Sequence, residues 1–372
     1  MSSPPLMDLL GTHWTLEAPV VALAWDVDGD TVAFALGDGQ LALVKARWLR
    51  GPHLARRSDG GVAVTPAAAP PPQPQRVACH EGACLSLAAD AAGGFVSGGD
   101  DGRVVHVPRS GAPTILSHVR GAWITAVACS PSGWRAHASG KRVYCVARDH
   151  GEAIDLPAPV TAMGFGPDKH SLAMAHSGGV TLWQEGAKLR TLVWPGYHRA
   201  LAWSPDGRYL VTGMQENALH GWRVADAGDM EMGGYPGQPL SLSFAAEGRY
   251  LVTSGSTRPV CWGFDPPGAA EQPRECAMAS KTPVSCVSCH PQQSLIAAGY
   301  HNGALLLCQP GRDEVLFIKG AGGGAVNAMA WSSDGNRLAF GTQDGMFGWL
   351  LLPEALFRSR QTTPHHTKET AS

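Results

Sequence analysis

The chain has 372 residues, of which 44% are hydrophobic and 16% are charged, and it carries 46 glycines and 28 prolines. A formal net charge of −2 and the lack of any lysine- or arginine-rich run exclude the electrostatic footprint expected of a nucleic-acid-binding protein. No apolar run is long enough to span a bilayer, and the first residues lack the features of a signal peptide. We therefore expect a cytoplasmic protein that binds neither nucleic acid nor membrane.

The nine cysteines also argue against a secreted, disulfide-stapled domain. They lie at positions 79, 84, 129, 145, 261, 276, 286, 289 and 308, an odd number without the spacing of a disulfide framework. Most are expected to be reduced thiols in the core.

A unit of ~40 to 45 residues recurs along the chain, which is the length of a four-stranded propeller blade. Aligning the units on Trp203 gives eight equivalent positions, namely Trp25, Ala89, Cys129, Phe165, Trp203, Phe244, Cys289 and Trp331. The residue two positions earlier is apolar in every unit, whereas the residues one and three positions earlier are small. Because strand side chains alternate between faces, this pattern predicts the crowded inner strand of a blade.

Turn residues follow each inner strand in the same order. A first turn, such as Ser-Pro-Asp-Gly at 204–207, leads to a second apolar strand, and a second turn, such as Asp-Gly at 101–102, leads to a third. The third strand ends in a mostly bulky position, filled by Leu43, His106, Tyr144, Trp183, Trp222, Trp262, Leu307 and Trp349. Outer strands are readable at 114–118, 188–194 and 315–319.

These turns, together with the tryptophan near the end of the third strand, resemble the WD-repeat β-propeller family over residues 13–353. The resemblance implies an all-β fold, a single closed propeller of four-stranded antiparallel blades. We predict eight blades from the eight units, with seven, the family's usual number, as the alternative. The repeats are divergent, since the third-strand tryptophans are followed by Gln184, Arg223, Gly263 and Leu350 rather than by aspartate.

Residues 13–17 are predicted to complete the last unit and so close the ring, because that unit lacks an outer strand of its own. Three segments lie outside the repeat. They are an N-terminal segment at 1–12, an alanine- and proline-rich insertion at 52–76, predicted to be an exposed and poorly ordered loop, and a flexible tail at 354–372.

Two clusters of cysteine and histidine raise the possibility of metal or haem binding. Cys286 and Cys289, followed by His290, fall at positions of opposite strand parity, which favours two core residues over a shared ligand site. His80, between Cys79 and Cys84, stands where the family has its structural histidine. The glycine run at 320–324 lacks the Lys-Ser/Thr ending of a phosphate loop and is read as a connector. No catalytic, cofactor-binding or metal-binding residue is predicted.

A partner-binding surface is the remaining prediction. In a propeller, the loops entering the inner strands and the turns between second and third strands open on one face. In this chain those loops carry Arg120, Trp123, Tyr197, His198, Arg199, Glu216, Arg258, Tyr300 and His301. Aromatic and arginine residues supply much of the binding energy at interfaces, although aromatic residues in short loops also serve to cover blade ends.

The resemblance implies a non-catalytic scaffold that docks a protein or peptide on this face. We expect the chain to be monomeric on its own. Two alternatives stay open, an enzyme that uses the central channel and a metal-linked accessory protein.

Overall fold

The computed structural model describes residues 4–57, 61–148, 150–245, 247–264 and 273–353. These residues form one short helix, α1 (Leu6–Leu10), and 32 strands. The strands up to the end of the second repeat unit are β1 (Gly11–Thr15), β2 (Val20–Trp25), β3 (Thr31–Leu36), β4 (Gln40–Lys45), β5 (His53–Arg56), β6 (Val62–Thr65), β7 (Gln75–Ala78), β8 (Cys84–Ala89), β9 (Phe95–Gly99), β10 (Arg103–Val107) and β11 (Thr114–His118).

The third to fifth units contain β12 (Ala126–Cys129), β13 (Arg135–Ser139), β14 (Arg142–Ala147), β15 (His150–Asp155), β16 (Ala162–Phe165), β17 (Leu172–Trp183), β18 (Arg190–Trp203), β19 (Tyr209–Met214), β20 (Leu219–Arg223) and β21 (Gly228–Met232). The last three units contain β22 (Leu242–Phe244), β23 (Tyr250–Thr253), β24 (Val260–Gly263), β25 (Arg274–Glu275), β26 (Val284–Cys289), β27 (Ile296–Tyr300), β28 (Leu305–Cys308), β29 (Val315–Lys319), β30 (Val326–Trp331), β31 (Arg337–Thr342) and β32 (Met346–Leu351).

The strands assemble into antiparallel blades, as predicted for an all-β propeller. Six sheets have four strands each, in the orders β2-β3-β4-β7, β8-β9-β10-β11, β12-β13-β14-β15, β22-β23-β24-β25, β26-β27-β28-β29 and β30-β31-β32-β1. A seventh sheet has six strands, β16 to β21 in sequence order. When each of these sheets is counted as one blade, the described residues form seven blades. This number matches the alternative given above rather than the eight blades predicted first.

The sheet count is lower than the number of repeat units because units four and five share the six-stranded sheet. In this sheet β17 pairs with β16 through its first half and with β18 through its second half. Gly178 and Gly179 lie where the two halves meet, both have positive φ, and the register of the β17–β18 pair shifts between Ser177 and Gly179. The C-terminal half of β18 then pairs with β19 as the inner strand of unit five.

The first strands of the units pack side by side around the axis. Along the described chain, β2 contacts β8, β8 contacts β12, and the series continues through β16, β18, β22 and β26 to β30, which contacts β2 again. Three anchor tryptophans tie neighbouring units together through the indole Nε1–H. Trp25 donates to the carbonyl of Ala330 at 2.9 Å, Trp203 to that of Gly164 at 3.1 Å, and Trp331 to that of Ser288 at 3.1 Å.

The N-terminal strand closes the ring, as predicted. All five residues of β1 pair with β32, from Gly11 opposite Leu350 to Thr15 opposite Met346. The Trp14 ring lies 5.8 Å from that of Phe347, and α1 buries Met7 and Leu10 beside this seam. The last unit therefore takes its outer strand from the start of the chain.

The insertion in the first unit has structure that the sequence analysis missed. Strands β5 and β6 form a separate hairpin, and the outer strand β7 already begins at Gln75. The Trp48 Nε1–H donates to the carbonyl of Ala69 at 2.9 Å, which holds the alanine- and proline-rich segment against the blade. Within the part of the chain described, no helix is long and apolar enough to cross a membrane. The predicted tail at 354–372 lies outside the described residues.

Candidate functional site

The predicted partner residues divide into exposed and buried groups. Trp123 is the most exposed aromatic residue among them, with 64% of its surface accessible. The other exposed side chains are Arg120, Tyr197, Arg199, Glu216 and His301. We call these six residues the docking face.

His198 and Tyr300 do not belong to the docking face, which corrects their sequence-based placement. The His198 side chain is fully buried, because β18 continues through it as a paired strand. Its Nδ1 lies 2.7 Å from Thr212 Oγ1, and its Nε2 lies 3.1 Å from the carbonyl oxygen of Trp194. Tyr300 is 3% exposed at the end of β27, and its hydroxyl has no hydrogen-bond partner among the described residues.

Arg258 is only partly exposed, and its guanidinium is already engaged. It forms ion pairs with Glu275, at 3.2 Å, and with Asp313, and its Nε donates to the carbonyl of Cys276 at 3.4 Å. This side chain links the sixth unit to the seventh, so it has less capacity to bind a partner than the sequence suggested.

Polar residues near the start of the inner strands bridge neighbouring units. At the position four residues before the anchor, Thr161 donates to the carbonyl of His198, Ser285 Oγ to that of Val326 at 2.8 Å, and Asn327 Nδ2 to that of Val20 at 3.0 Å. Arg199 occupies the same position in unit five, is exposed, and makes no side-chain hydrogen bond or ion pair with any described residue. It therefore presents a cation without a described partner at the edge of the inner strand.

Glu216 holds the segment of β18 that precedes Arg199. Its carboxylate accepts the backbone N–H of Tyr197, with distances of 3.0 and 3.3 Å to the two oxygens. Gly196, the residue before Tyr197, has φ of +129° and lies against Glu216 and Met214, where a side chain would clash. Tyr197 and Arg199 are therefore presented from a constrained backbone.

Buried polar groups support the blades beneath this face. His80 bridges Ser97 and Asp101 with two contacts of 3.0 Å, in agreement with the structural role expected of it. Unit six has an equivalent arrangement that the sequence did not reveal, because a tyrosine replaces the histidine. The hydroxyl of Tyr235 lies 2.6 Å from Thr253 Oγ1 and accepts the Trp262 Nε1–H at 2.5 Å.

Known proteins match two segments of the chain and its overall fold. Residues 189–223 match the family model described as WD domain, G-beta repeat, and residues 279–351 match the anaphase-promoting complex subunit 4 WD40 domain. The two matched segments and the ring of blades together support a WD-repeat β-propeller. This propeller is also similar to the crystal structure of the computationally designed Ika8 protein, with a TM-score of 0.67 and 16% identity over 91% of this chain and 97% of that one. No curated protein matches the chain.

The cysteine clusters singled out in the sequence lie inside the propeller. Cys286 packs in the hydrophobic cluster of units seven and eight, whereas Cys289 packs against the cluster of units six and seven. Burial raises the pKa of Cys79 to about 12 and that of Cys84 to about 11. The connector at 320–324 is held by Lys319, whose Nζ donates to the carbonyls of Gly303, Gly320 and Gly322.

The pH dependence of stability is expected to depend on His220. Neither ring nitrogen has a hydrogen-bond partner among the described residues, and the ring stacks on Trp194 at 3.8 Å. Burial lowers the pKa of His220 to about 4, despite Asp229 at 3.7 Å. Below pH 6.5 the unfolded state binds a proton that the folded state does not, so stability falls as the pH drops from 6.5 towards 4. The cost is about 2 kcal/mol at pH 5.

Urea unfolding at pH 7 and pH 5 tests this expectation. The variant His220→Phe should lose less stability between the two pH values than the parent protein, whereas His301→Phe, at an exposed site, should match the parent. An identical pH dependence in all three proteins would show that His220 is not a source of acid sensitivity.

Proposed function

We propose that the propeller is a non-catalytic scaffold that docks a protein or peptide on the docking face. WD-repeat propellers commonly act as interaction scaffolds. The observation that supports the proposal for this chain is the exposed indole of Trp123. An exposed tryptophan on an ordered loop is the residue type that most often dominates binding at an interface.

The backbone that directly follows Trp123 is held in place by two hydrogen bonds. The N–H of Ile124 donates to the carbonyl of Gly99, and the N–H of Thr125 donates to that of Ala138. Ile124 is fully buried beneath the loop. Trp123 therefore projects from a fixed base, and a partner would bind it without having to order the loop first.

Arg199 adds a cation at the edge of the inner strand to this aromatic anchor. Its guanidinium can form two parallel hydrogen bonds to a carboxylate without giving up an existing partner. We infer that the partner offers an apolar or aromatic group to Trp123 and an acidic group to Arg199. We further propose that the chain works as a monomer. We also propose that it is cytoplasmic, because its nine cysteines are free thiols, as is usual in a reducing compartment.

Affinity purification from the native cells tests the scaffold role. Tagged parent protein, Trp123→Ala, Arg199→Ala and the control Leu49→Ala, at a site 84% exposed away from the docking face, are compared by mass spectrometry. Loss of a central tryptophan is expected to weaken binding by ~30-fold or more. Recovery of the same partners by all four proteins, or of none by the parent, would contradict the proposal.

A further inference from the structure

Two cysteines of the sixth unit lie much closer together than the other thiols. Cys261 is on β24, and Cys276 directly follows the outer strand β25. Their Sγ atoms are 2.8 Å apart, and the residues are 2% and 0% exposed. A disulfide has an S–S length of ~2.05 Å, so bond formation requires an approach of only about 0.8 Å.

The environments of the two thiols are unequal. Cys276 Sγ shares a hydrogen bond with Cys261 Sγ, accepts the backbone N–H of Gly311 at 3.3 Å, and lies 3.8 Å from the carbonyl oxygen of Arg274. The hydrogen bond with Cys261, followed by that from Gly311 and by the charge of Arg258, holds the pKa of Cys276 below its ordinary value. The pKa of Cys261 is raised by the same hydrogen bond and by burial. The N–H of Gly311 and the charge of Arg258 both favour a thiolate on Cys276, so we assign Cys276 as the nucleophile and Cys261 as the resolving thiol.

The remaining seven cysteines lack this arrangement. Burial is the leading cause that raises the pKa of each of them. Cys289 and Cys308 pack in the same hydrophobic cluster, but Cys289 Sγ is directed to the carbonyl of Ser243 at 3.4 Å. The reactive geometry is confined to one pair.

We propose that Cys261 and Cys276 form a reversible disulfide when the protein meets a small peroxide. The Cys276 thiolate attacks one oxygen of hydrogen peroxide, the O–O bond breaks, and Cys276 sulfenic acid and hydroxide result. The sulfur of Cys261 then attacks Cys276 Sγ, the S–O bond breaks, and a second hydroxide leaves. The two thiol protons convert both hydroxides to water, so two thiols and one peroxide give one disulfide and two waters.

The outer strand β25 determines how a peroxide reaches the two cysteines and what the disulfide would change. Among the described residues, β25 pairs with β24 at two positions, Val260 with Glu275 and Cys261 with Arg274, and opening of this edge would admit a peroxide. The N–H of Ala277, next to the pair, donates to the carbonyl of Arg312 in the seventh unit. The disulfide would therefore lock the outer edge of unit six and the contact it makes with unit seven.

Peptide mapping tests the disulfide on the full chain. Reduced protein is treated with one equivalent of hydrogen peroxide, alkylated in denaturant and digested with trypsin. Because Arg274 lies between the two cysteines, the bond would join peptides 250–274 and 275–281 into one species that dithiothreitol separates. We expect this species to dominate, the free thiol count to fall from nine to seven, and the melting temperature to rise by a few degrees.

Variants distinguish the pair from general oxidation. Cys276→Ser should abolish the cross-link and keep all eight of its remaining thiols free. Cys261→Ser should leave Cys276 as a sulfenic acid that can be trapped. The control Cys145→Ser should still form the cross-link. The inference is overturned if the parent protein retains all nine thiols, or if its disulfides join other cysteines. Because the mapping is done on the parent protein, it remains decisive even if a variant fails to fold.

Discussion

Deletion of residues 1–15 is expected to make the protein insoluble, or to lower its free energy of unfolding by about 5 kcal/mol or more. The deletion removes β1, all five pairs of which close the ring against β32, and the buried side chains of Met7 and Leu10. Burial of each such side chain is worth ~1.5–3 kcal/mol, and the indole of Trp14 adds to this. The exposed edge of β32 would also be open to pairing with another molecule.

Soluble yield and the denaturation midpoint measure this effect, and a point variant provides an independent check. A Cβ atom on residue 348 would lie 2.2 Å from the carbonyl oxygen of Thr12, so Gly348→Ala should displace β1 while keeping the chain at full length. Gly233→Ala, where a Cβ would meet nothing within 4 Å, is the matched control. If the truncated protein unfolds at the same denaturant concentration as the full chain, the ring is not held by this seam.

Replacement of Trp262 by alanine is expected to cost ~3–5 kcal/mol of stability. The indole is buried in unit six and donates to Tyr235, whose hydroxyl in turn contacts Thr253. Tyr235→Phe keeps the ring but leaves the Trp262 Nε1–H and the Thr253 hydroxyl without this partner, for a smaller loss of ~1–3 kcal/mol. Chemical denaturation of both variants would measure the two losses.

Trp123→Ala provides a matched tryptophan control for this experiment. Its side chain is exposed, so its removal should change stability by no more than ~0.5 kcal/mol. If Trp262→Ala and Trp123→Ala lowered the free energy of unfolding by the same amount, burial of Trp262 and its hydrogen bond to Tyr235 would not stabilise unit six as expected.

The architecture could be predicted from the sequence because the inner strand of every unit has the same packing environment. Small residues stand one and three positions before the anchor in every unit, since neighbouring blades converge there, and the anchor tryptophans bind the preceding unit in the structure. The fusion of units four and five was not predictable in this way. It depends on the local backbone geometry at Gly178 and Gly179, which the alignment of the repeat units does not show.

Less of the candidate site could be predicted. Counting from the anchor places His198 beside Arg199 in an entry loop, but the continuous β18 turns its side chain inward to Thr212. Tyr300 is buried for a similar reason, because β27 extends through it. The Cys261 and Cys276 pair was invisible in the sequence, since the two positions belong to different strands and become neighbours only when the blade forms.

The strand shared by units four and five has a mechanical consequence. Because β18 runs without interruption from the edge of one unit into the centre of the next, there is no loop at this joint about which the two can rotate. The seam between β1 and β32 joins segments that are distant in the chain and is held only by pairing and packing. Under tension applied at residues 4 and 353, the ring would part first at that seam, and units four and five would yield together.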